Sequence, residues 1–250
     1  IVNEPNVEKM TLDSFKVCSC GSAPLPIEIL HRFEKLTGVP ILEGYGLSEA
    51  APTTHRNPIN GVRKVGSIGI PFPMTDSKVV DEKGHEVSVG TVGELVLKGP
   101  QVMKGYWRKP EQTKEAVRDG WLYTGDLAKM DEDGYFYIVG RKKEMIISGG
   151  FNIYPQEVEN VLYDHPAVKE AAVIGVPHSY SGERVKAFIV LKEGQRANEQ
   201  DLLNHCSENL TRYKVPKEIE IRDTLPRNTV GKLLKRKLVE EERRKRKHYS

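Results

Sequence analysis

The pattern of apolar residues changes near residue 140, and this change constrains the fold more than any other feature of the chain. Residues 66–140 hold short runs rich in Val, Ile and Tyr, separated by DEKG, SVG and DEDG, as is typical of β-hairpins. Residues 141–250 instead predict helix, strand, strand, helix, strand and helix in that order. We therefore expect two domains, 1–140 and 141–250, the second a small α+β domain with its own core.

Individual elements follow from the same patterns. Residues 24–36 repeat apolar side chains at helical spacing behind two prolines, and Gly38 ends the pattern. We predict strands at 78–81, 94–99, 127–131 and 135–140, and a short helix at 109–117 that Pro110 begins. Beyond residue 140 we predict helices at 155–165, 198–210 and 231–247, and strands at 167–178, 183–194 and 213–223.

The composition is that of a soluble globular protein. Of 250 residues, 38% are apolar and 29% are charged. No apolar stretch approaches the ~18 residues of a spanning helix, and no secretory leader is visible. The cysteines are Cys18, Cys20 and Cys206, an odd number without zinc or disulfide spacing, so we expect reduced thiols and a cytoplasmic location. Because the chain opens on Ile1 rather than Met, we expect a piece of a longer protein.

A basic tail is concealed by the net charge of +3. Residues 232–248 hold nine Lys or Arg against three Glu, so this segment carries about +6 and the rest about −3. Such a block is usually a solvated helix face, and a phosphate-rich partner or an anionic membrane is the alternative.

A first candidate site lies in LEGYGLSEAAP, where Gly44 and Gly46 flank Tyr45, and Ser48 and Glu49 follow on a turn. Glycine lets a backbone approach a ligand closely, an aromatic face can stack on a base, and a carboxylate suits Mg²⁺. Taken alone, the segment is more often a loop with a buried tyrosine and a surface glutamate.

Two further segments hold polar groups around the domain boundary. Asp126, in WLYTGDLA, follows a strand and a glycine, where a carboxylate could accept hydrogen bonds from a ribose diol or cap the amides of a turn. Arg141 and Lys143 follow the next strand. They could reach ribose or phosphate and exchange partners as the backbone turns, or remain solvated charges at a linker.

The second domain adds a glycine pair and a lysine. Gly149 and Gly150 precede Phe151, an arrangement that suits a bare strip of backbone along which a thin chain could slide, or a β-bulge. Gly231 precedes Lys232, which we expect on the first turn of the terminal helix. Its ammonium could stabilise charge on a phosphoryl group, or could be an ordinary surface lysine.

The segments GSAPL, GYGLSE, YTGD, GRKKEMIISGGFNIYP with EVE, and PRNTVGK occur in this order, and the set closely resembles the adenylate-forming superfamily of acyl-CoA synthetases and luciferases. The resemblance covers essentially the whole chain. Through GYGLSEAAPTTHRNP, QVMKGYW and GRKKEMIISGGFNIYP, it is greatest to the fatty-acyl-CoA synthetases.

The resemblance implies a mixed α/β and α+β fold. Residues 1–140 would be the end of the large AMP-binding domain, mostly β-hairpins or a barrel, and 141–250 the small mobile C-terminal domain. In the implied reaction a fatty acid attacks the α-phosphate of ATP to give acyl-AMP and pyrophosphate, and the CoA thiol then displaces AMP. Fatty acid, ATP with Mg²⁺, and CoA are the implied substrates and cofactors.

Residue roles are implied by the same resemblance. Tyr45 stacks on adenine, Glu49 binds Mg²⁺, and Asp126 accepts hydrogen bonds from the ribose diol. The other implied contacts are Gly21, Ser22 and Ala23 beside adenine, Gly44 and Gly46 around Tyr45, Ser48 on the α-phosphate where the family often has Thr, Arg141 on ribose, Lys143 at the hinge, Lys232 as the adenylation lysine, and Gly149, Gly150 and Phe151 in the pantetheine tunnel.

One departure from the family pattern matters. Residues 1–22 contain nothing like the family's phosphate-binding loop, which should precede GSAPL. We therefore expect this chain to be the C-terminal half of an enzyme about twice as long, with the N-terminal half as its missing partner. By itself it should bind ATP poorly, adenylate nothing and expose core surface in residues 1–140.

Two other functions remain alternatives. A related enzyme would hand its acyl-AMP to an acceptor other than CoA. A noncatalytic module would instead use the basic tail to bind nucleic acid or anionic lipid, with steep loss of binding in salt. The ordered motifs argue against nucleic acid, whereas peripheral membrane contact stays open. Lys232 is also a candidate for acetylation, which would remove its charge.

Overall fold

The computed structural model describes residues 2, 4, 6–10, 12–23, 25–229 and 231–247. The chain forms two compact units, Ile1–Val139 (unit 1) and Gly140–Ser250 (unit 2). Pro24 and His248, which bound two of the segments singled out in the sequence, lie outside the described residues.

Unit 1 is mostly β-structure. Its elements are β1 (Cys18–Cys20), α1 (Ile27–Thr37), β2 (Ile41–Gly46), β3 (Thr53–Arg56), β4 (Ile70–Pro71), β5 (Asp76–Val80), β6 (Gly93–Lys98), α2 (Pro110–Ala116), β7 (Val117–Arg118), β8 (Trp121–Met130) and β9 (Phe136–Arg141), the last of which runs past the unit boundary. The predicted strands at 78–81, 94–99, 127–131 and 135–140 are confirmed, as are both helices.

The strands of unit 1 form two sheets. One has the order β1-β2-β3-β4, with β1 parallel to β2, and the other has the order β5-β6-β8-β7, with β9 also beside β8. The pairs β2–β3, β3–β4, β5–β6, β6–β8 and β7–β8 are antiparallel.

Two turns of unit 1 show how the local sequence sets its hairpins. Asp81 accepts hydrogen bonds from the amides of Lys83 and His85 at 2.8 and 2.9 Å, and Gly84 has a φ of 83°. Asp131 and Gly134 repeat the device in the next turn. The aspartate side chain satisfies the turn amides and glycine supplies the positive φ, so DEKG and DEDG specify these turns.

The core of unit 1 collects alternating side chains of its second sheet. Val79, Leu95, Leu97, Leu122 and Phe136 are buried together. Residues two apart on a strand point to the same face, so the pattern ELVLK places Leu95 and Leu97 in one layer. Tyr45 packs against this core from β2, which brings a predicted site residue to its edge.

Unit 2 combines one sheet with helices. Its elements are β10 (Ile146–Ser148), β11 (Phe151–Ile153), α3 (Pro155–Asp164), β12 (Val168–His178), β13 (Gly182–Leu191), α4 (Glu199–Asn209), β14 (Glu218–Ile221) and α5 (Lys235–Lys247). The sheet order is β11-β10-β13-β12, and β14 pairs in parallel with residues 186–189 of β13. The helix and strand order is confirmed, but β10 and β11 were not predicted.

Unit 2 is covered by helices on both faces of its sheet. Ala171 and Val173 of β12 join the cluster that contains α3 and α4 side chains. Ala172 and Ile174, one residue along, join Leu238 of α5 in a separate cluster. This explains the continuous apolar run AAVIGV, because a strand buried on both faces does not alternate with polar residues.

The basic tail is a packed helix of unit 2. Lys186, buried in the sheet, has its ammonium 3.1 Å from Glu242 of α5, and Arg222 lies 2.8 Å from Glu241. Lys245 pairs in turn with Glu220 and Glu242. Glu241 and Glu242 therefore attach α5 to the sheet region, while Arg243 and Arg244 are exposed. No helix in the described part of the chain has the length and apolarity to cross a membrane.

Candidate active site

The GYG segment forms the end of β2, and the turn that holds Ser48 and Glu49 follows it. A Cβ on Gly46 would lie 1.9 Å from the Pro52 carbonyl oxygen, and one on Gly44 would lie 2.9 Å from the His55 carbonyl oxygen. Positions 44 and 46 therefore need glycine, because the backbone of Pro52 and of β3 lies too close to β2 for a side chain there. Gly21 belongs to the same arrangement, since a Cβ there would lie 3.2 Å from the Gly44 oxygen.

Tyr45 and Asp126, 81 residues apart, are brought together in unit 1. The Tyr45 hydroxyl donates to Asp126 Oδ2 at 2.6 Å. Asp126 is only 7% exposed and lies inside β8, not in a turn. A short bond to a buried carboxylate fixes the orientation of the Tyr45 ring.

A bulge in β8 explains how Asp126 reaches this position. Glu94 of β6 lies opposite Leu127, but Val96 lies opposite Tyr123, so a single β6 residue faces residues 124–126. Gly125 has a φ of 72° and donates to Glu94 Oε1 at 3.0 Å. Bulges re-aim side chains and recur beside active sites. TGD is therefore the sequence of a bulge, which strand patterning does not reveal.

Ser48 and Glu49 lie on a single 3₁₀ turn, Ser48–Ala50, directly after β2. Ser48 is exposed and Glu49 half-buried. Glu49 Oε1 accepts a hydrogen bond of 2.8 Å from the Tyr106 hydroxyl, and burial together with this bond raises the pKa of Tyr106. Tyr106 is the tyrosine of QVMKGYW, and no role was predicted for it.

Glu49 could bind a cation through its one carboxylate group. Among the described residues, no group of three or more His, Cys, Asp or Glu could hold a metal ion. Mg²⁺ often takes only one or two protein carboxylates and completes its shell with phosphates and water. The Glu49 carboxylate, on the 3₁₀ turn that follows β2, could be such a ligand.

His55 was missed by sequence reasoning. It is the cross-strand partner of Tyr45, it is fully buried, and its ring meets those of Tyr45 and Phe136 at steep angles. Burial lowers its pKa to about 3, so the ring is neutral at neutral pH. Its Nε2 has no hydrogen-bond partner in the described structure.

Ser22 and Ala23 are exposed and follow β1. Ser22 has a φ of 69°, a conformation that is uncommon for a residue with a Cβ. In unit 1, Gly21 therefore contacts the GYG strand, and the GYG strand contacts Asp126. Ser22, Ala23, Ser48 and Glu49 lie in turns that adjoin these residues in sequence.

In unit 2, Gly149 and Gly150 form a two-residue hairpin turn instead of a β-bulge. Ser148 pairs with Phe151 across it, and the two glycines have φ of 58° and 84°. Type I′ hairpin turns need a positive φ at both central positions, which glycine provides. Phe151 then stacks on Tyr213, with ring centroids 4.4 Å apart.

The same turn borders an open cleft of unit 2. The cleft has a volume of about 770 Å³, and its lining includes Gly149, Phe151, Arg184, Arg212 and Lys217. Three of the residues that line the cleft, Arg184, Arg212 and Lys217, are basic. The cleft suits a ligand with anionic groups.

Lys232 lies in a turn and not on the terminal helix as predicted. The Asn228 amide donates to the Lys232 carbonyl at 2.9 Å, and the Lys232 amide donates to Asn228 Oδ1 at 2.8 Å. These bonds close a turn before α5, which begins at Lys235. Lys232 is exposed.

Arg141 and Lys143 are exposed at the start of unit 2. Arg141 ends β9, and Lys143 lies in the 3₁₀ turn Lys142–Glu144. Gly140 before them has a φ of 155°.

Comparison with known protein families identifies most of the chain. Residues 1–107 match the AMP-binding enzyme family, and residues 157–232 match the AMP-binding enzyme C-terminal domain. The chain therefore belongs to the AMP-binding enzymes.

Individual relatives agree with this assignment. A long-chain-fatty-acid--CoA ligase of Bacillus subtilis (strain 168) is 53% identical over 243 residues, which are 97% of this chain and 43% of the relative. The crystal structure of ATP-bound MatB from Rhodopseudomonas palustris matches with a TM-score of 0.86 and 42% identity, over 90% of this chain and 45% of that one.

The anthranilate CoA ligase AuaEII, solved with anthranoyl-AMP, matches with a TM-score of 0.88 and 33% identity, over 96% of this chain and 47% of that one. The chain thus spans less than half the length of each relative.

Proposed function

We propose that this chain is the C-terminal half of an AMP-forming long-chain fatty acid:CoA ligase about twice its length. The observation that carries the proposal is the Tyr45–Asp126 hydrogen bond of 2.6 Å, in a chain 53% identical to a ligase of that name. An aromatic ring next to a buried carboxylate is an arrangement that can bind an adenosine through its base and its ribose diol.

In the first half-reaction, the fatty carboxylate attacks the α-phosphorus of ATP and pyrophosphate leaves. Tyr45 stacks on adenine within the turn formed by Gly21, Ser22 and Ala23, and Asp126 and Arg141 bind the ribose. Ser48 donates to the α-phosphate. Mg²⁺, when bound at Glu49, would neutralise phosphate charge. The Lys232 ammonium stabilises the negative charge that develops between the carboxylate and the α-phosphate.

In the second half-reaction, the CoA sulfur attacks the acyl carbon, the thioester forms and AMP leaves. Gly149 and Gly150 border the path of pantetheine, with Phe151 beside them. The cationic lining of the unit 2 cleft supports this assignment, because CoA carries phosphates. Lys143 is the residue about which we propose that unit 2 turns between the two steps.

The role of Lys232 can be separated from a general defect. We expect Lys232→Ala in the full-length enzyme to lose about 3–4 kcal/mol of transition-state stabilisation in adenylation, a rate loss of roughly 10²–10³-fold. The reaction of pre-formed acyl-AMP with CoA should be nearly unchanged. Lys237→Ala, an exposed lysine of α5, is the matched control. Equal losses in both half-reactions would contradict the assignment.

The length of the chain gives a second test. The 250-residue chain alone should exchange no pyrophosphate into ATP, while the full-length enzyme should do so with fatty acid present. CoA-dependent formation of a thioester by the full-length enzyme distinguishes a CoA ligase from an enzyme that delivers acyl-AMP elsewhere. Robust exchange by the 250-residue chain would overturn the view that the site is incomplete.

A further inference from the structure

Glu49 is held by two hydrogen bonds from one loop of unit 1. The Met103 amide donates to the Glu49 carbonyl at 2.8 Å. The Tyr106 hydroxyl donates to Glu49 Oε1 at 2.8 Å. The first bond fixes the backbone of the 3₁₀ turn and the second fixes the end of the side chain.

The loop is in turn held by α2. The Tyr106 amide donates to Thr113 Oγ1 at 2.9 Å, and the Thr113 hydroxyl donates to the Lys109 carbonyl at 2.9 Å. Gly105 has a φ of 153°, and a Cβ there would lie 2.7 Å from Thr113 Cγ2. The loop therefore lies directly on Thr113, and a bulkier residue at position 105 would separate them.

The bond from Tyr106 leaves Glu49 able to bind a cation. An ionised carboxylate has two oxygens with about four lone-pair sites, and a phenol occupies one of them without supplying a charge. A glutamate held in one rotamer also loses less conformational entropy when it binds a ligand.

We propose that Tyr106, fixed by Thr113, is a positioning residue that holds the Glu49 carboxylate for the Mg²⁺ ion that accompanies the nucleotide. This inference rests on the proposed function, in which Glu49 is the magnesium ligand. Residues that hold a metal ligand typically change metal affinity by 10–100-fold when removed. Because the bond is partly exposed, we expect the lower end of that range.

The test measures metal binding directly in the full-length enzyme. Mn²⁺ replaces Mg²⁺, and its binding in the presence of a non-hydrolysable ATP analogue is followed by electron paramagnetic resonance. Tyr106→Phe and Thr113→Val should each weaken Mn²⁺ binding about tenfold and leave the KM for CoA unchanged. Thr113→Ser, which keeps the hydroxyl, should restore binding, and Trp107→Ala, at an 84% exposed neighbour, should bind as the wild type does.

A double substitution separates positioning from independent binding. In a Glu49→Gln enzyme, Tyr106→Phe should weaken Mn²⁺ binding no further, and additive losses would overturn the proposal. Wild-type affinity in either Tyr106→Phe or Thr113→Val would overturn it as well. Thermal melting of each variant identifies any loss that is due to unfolding.

Glu49→Gln and Tyr106→Phe together distinguish the metal role of Glu49 from the positioning role of Tyr106. If Glu49→Gln binds Mn²⁺ as tightly as the wild type, the metal role of Glu49 in the proposed function is wrong. If Glu49→Gln weakens binding while Tyr106→Phe does not, only the positioning role is wrong.

Discussion

Unit 1 and unit 2 differ in how completely they bury their apolar side chains. Among the described residues, unit 2 buries 21 apolar residues and exposes four large ones, whereas the longer unit 1 buries 15 and exposes ten. Helices cover both faces of the unit 2 sheet. Unit 2 therefore has the closed core of a domain that can fold alone. Unit 1 exposes apolar surface that another part of a protein could cover.

Separating the two units should have the largest effect. We expect a polypeptide of residues 140–250 to melt cooperatively as a monomer, because its core is closed. A polypeptide of residues 1–139 should associate or melt without cooperativity, because its apolar surface is exposed. Circular dichroism and size-exclusion chromatography measure both. A monomeric, cooperative 1–139 would show that surface exposure does not limit unit 1.

Matched core substitutions test whether the two units unfold independently. Leu95 of unit 1 and Leu162 of unit 2 are both fully buried, so each change to Ala should cost about 2–5 kcal/mol in free energy of unfolding. We expect Leu162→Ala to lower hydrogen-exchange protection only in unit 2, and Leu95→Ala only in unit 1. Val89→Ala, at a half-exposed residue, is the control. Loss of protection across both units would mean that they unfold as one.

Acid should destabilise unit 1 through His55. Its pKa falls from 6.5 to about 3 in the folded chain because it is buried, so below pH 6.5 the unfolded chain binds a proton that the folded chain does not. Stability is therefore complete above pH 6.5 and falls by about 1.4 kcal/mol per pH unit towards pH 3.

Urea unfolding between pH 4.5 and 7 tests this dependence. His55→Phe should remove that part of the slope, while the exposed His31→Gln should keep it. An unchanged slope in His55→Phe would contradict the assignment.

The smallest expected effect concerns an exposed aromatic residue of each unit. Phe151 of unit 2 stacks on Tyr213, so Phe151→Ala should cost about 1 kcal/mol in free energy of unfolding. Trp107 of unit 1 is 84% exposed, and its change to Ala should cost less than ~0.5 kcal/mol. Urea midpoints compare the two. Equal costs would mean that the stacked pair contributes nothing.

Local sequence signals account for most of the fold. Pro110 and Pro155 start their helices and Gly38 ends α1, in each case through the residue's own backbone preference. The aspartate and glycine turns of unit 1 are equally local. The bulge that holds Asp126 was not predicted, because it depends on how β8 pairs with β6, about 30 residues earlier. The strands β10 and β11 were not predicted either, because each has only three residues.

The residues of the candidate site also divide into those that the local sequence indicated and those that depend on distant contacts. Tyr45, Glu49 and Asp126 were found because each residue type suits its proposed ligand. His55 and Tyr106 were missed because their roles arise from contacts with residues 10 and 57 positions away. Lys232 was placed on a helix because LLKRKL has helical spacing, but hydrogen bonds to Asn228 fix a turn there first.

The sheet of unit 2 has helices on both faces, and this limits the positions at which substitutions leave its packing intact. Its predicted site residues, Arg141, Lys143, Gly149, Gly150 and Lys232, lie in or beside connections between elements. Substitutions in those connections leave both buried layers intact. Related enzymes could therefore acquire new acceptors or new regulation by changing the connections, without a loss of stability in the layers that support them.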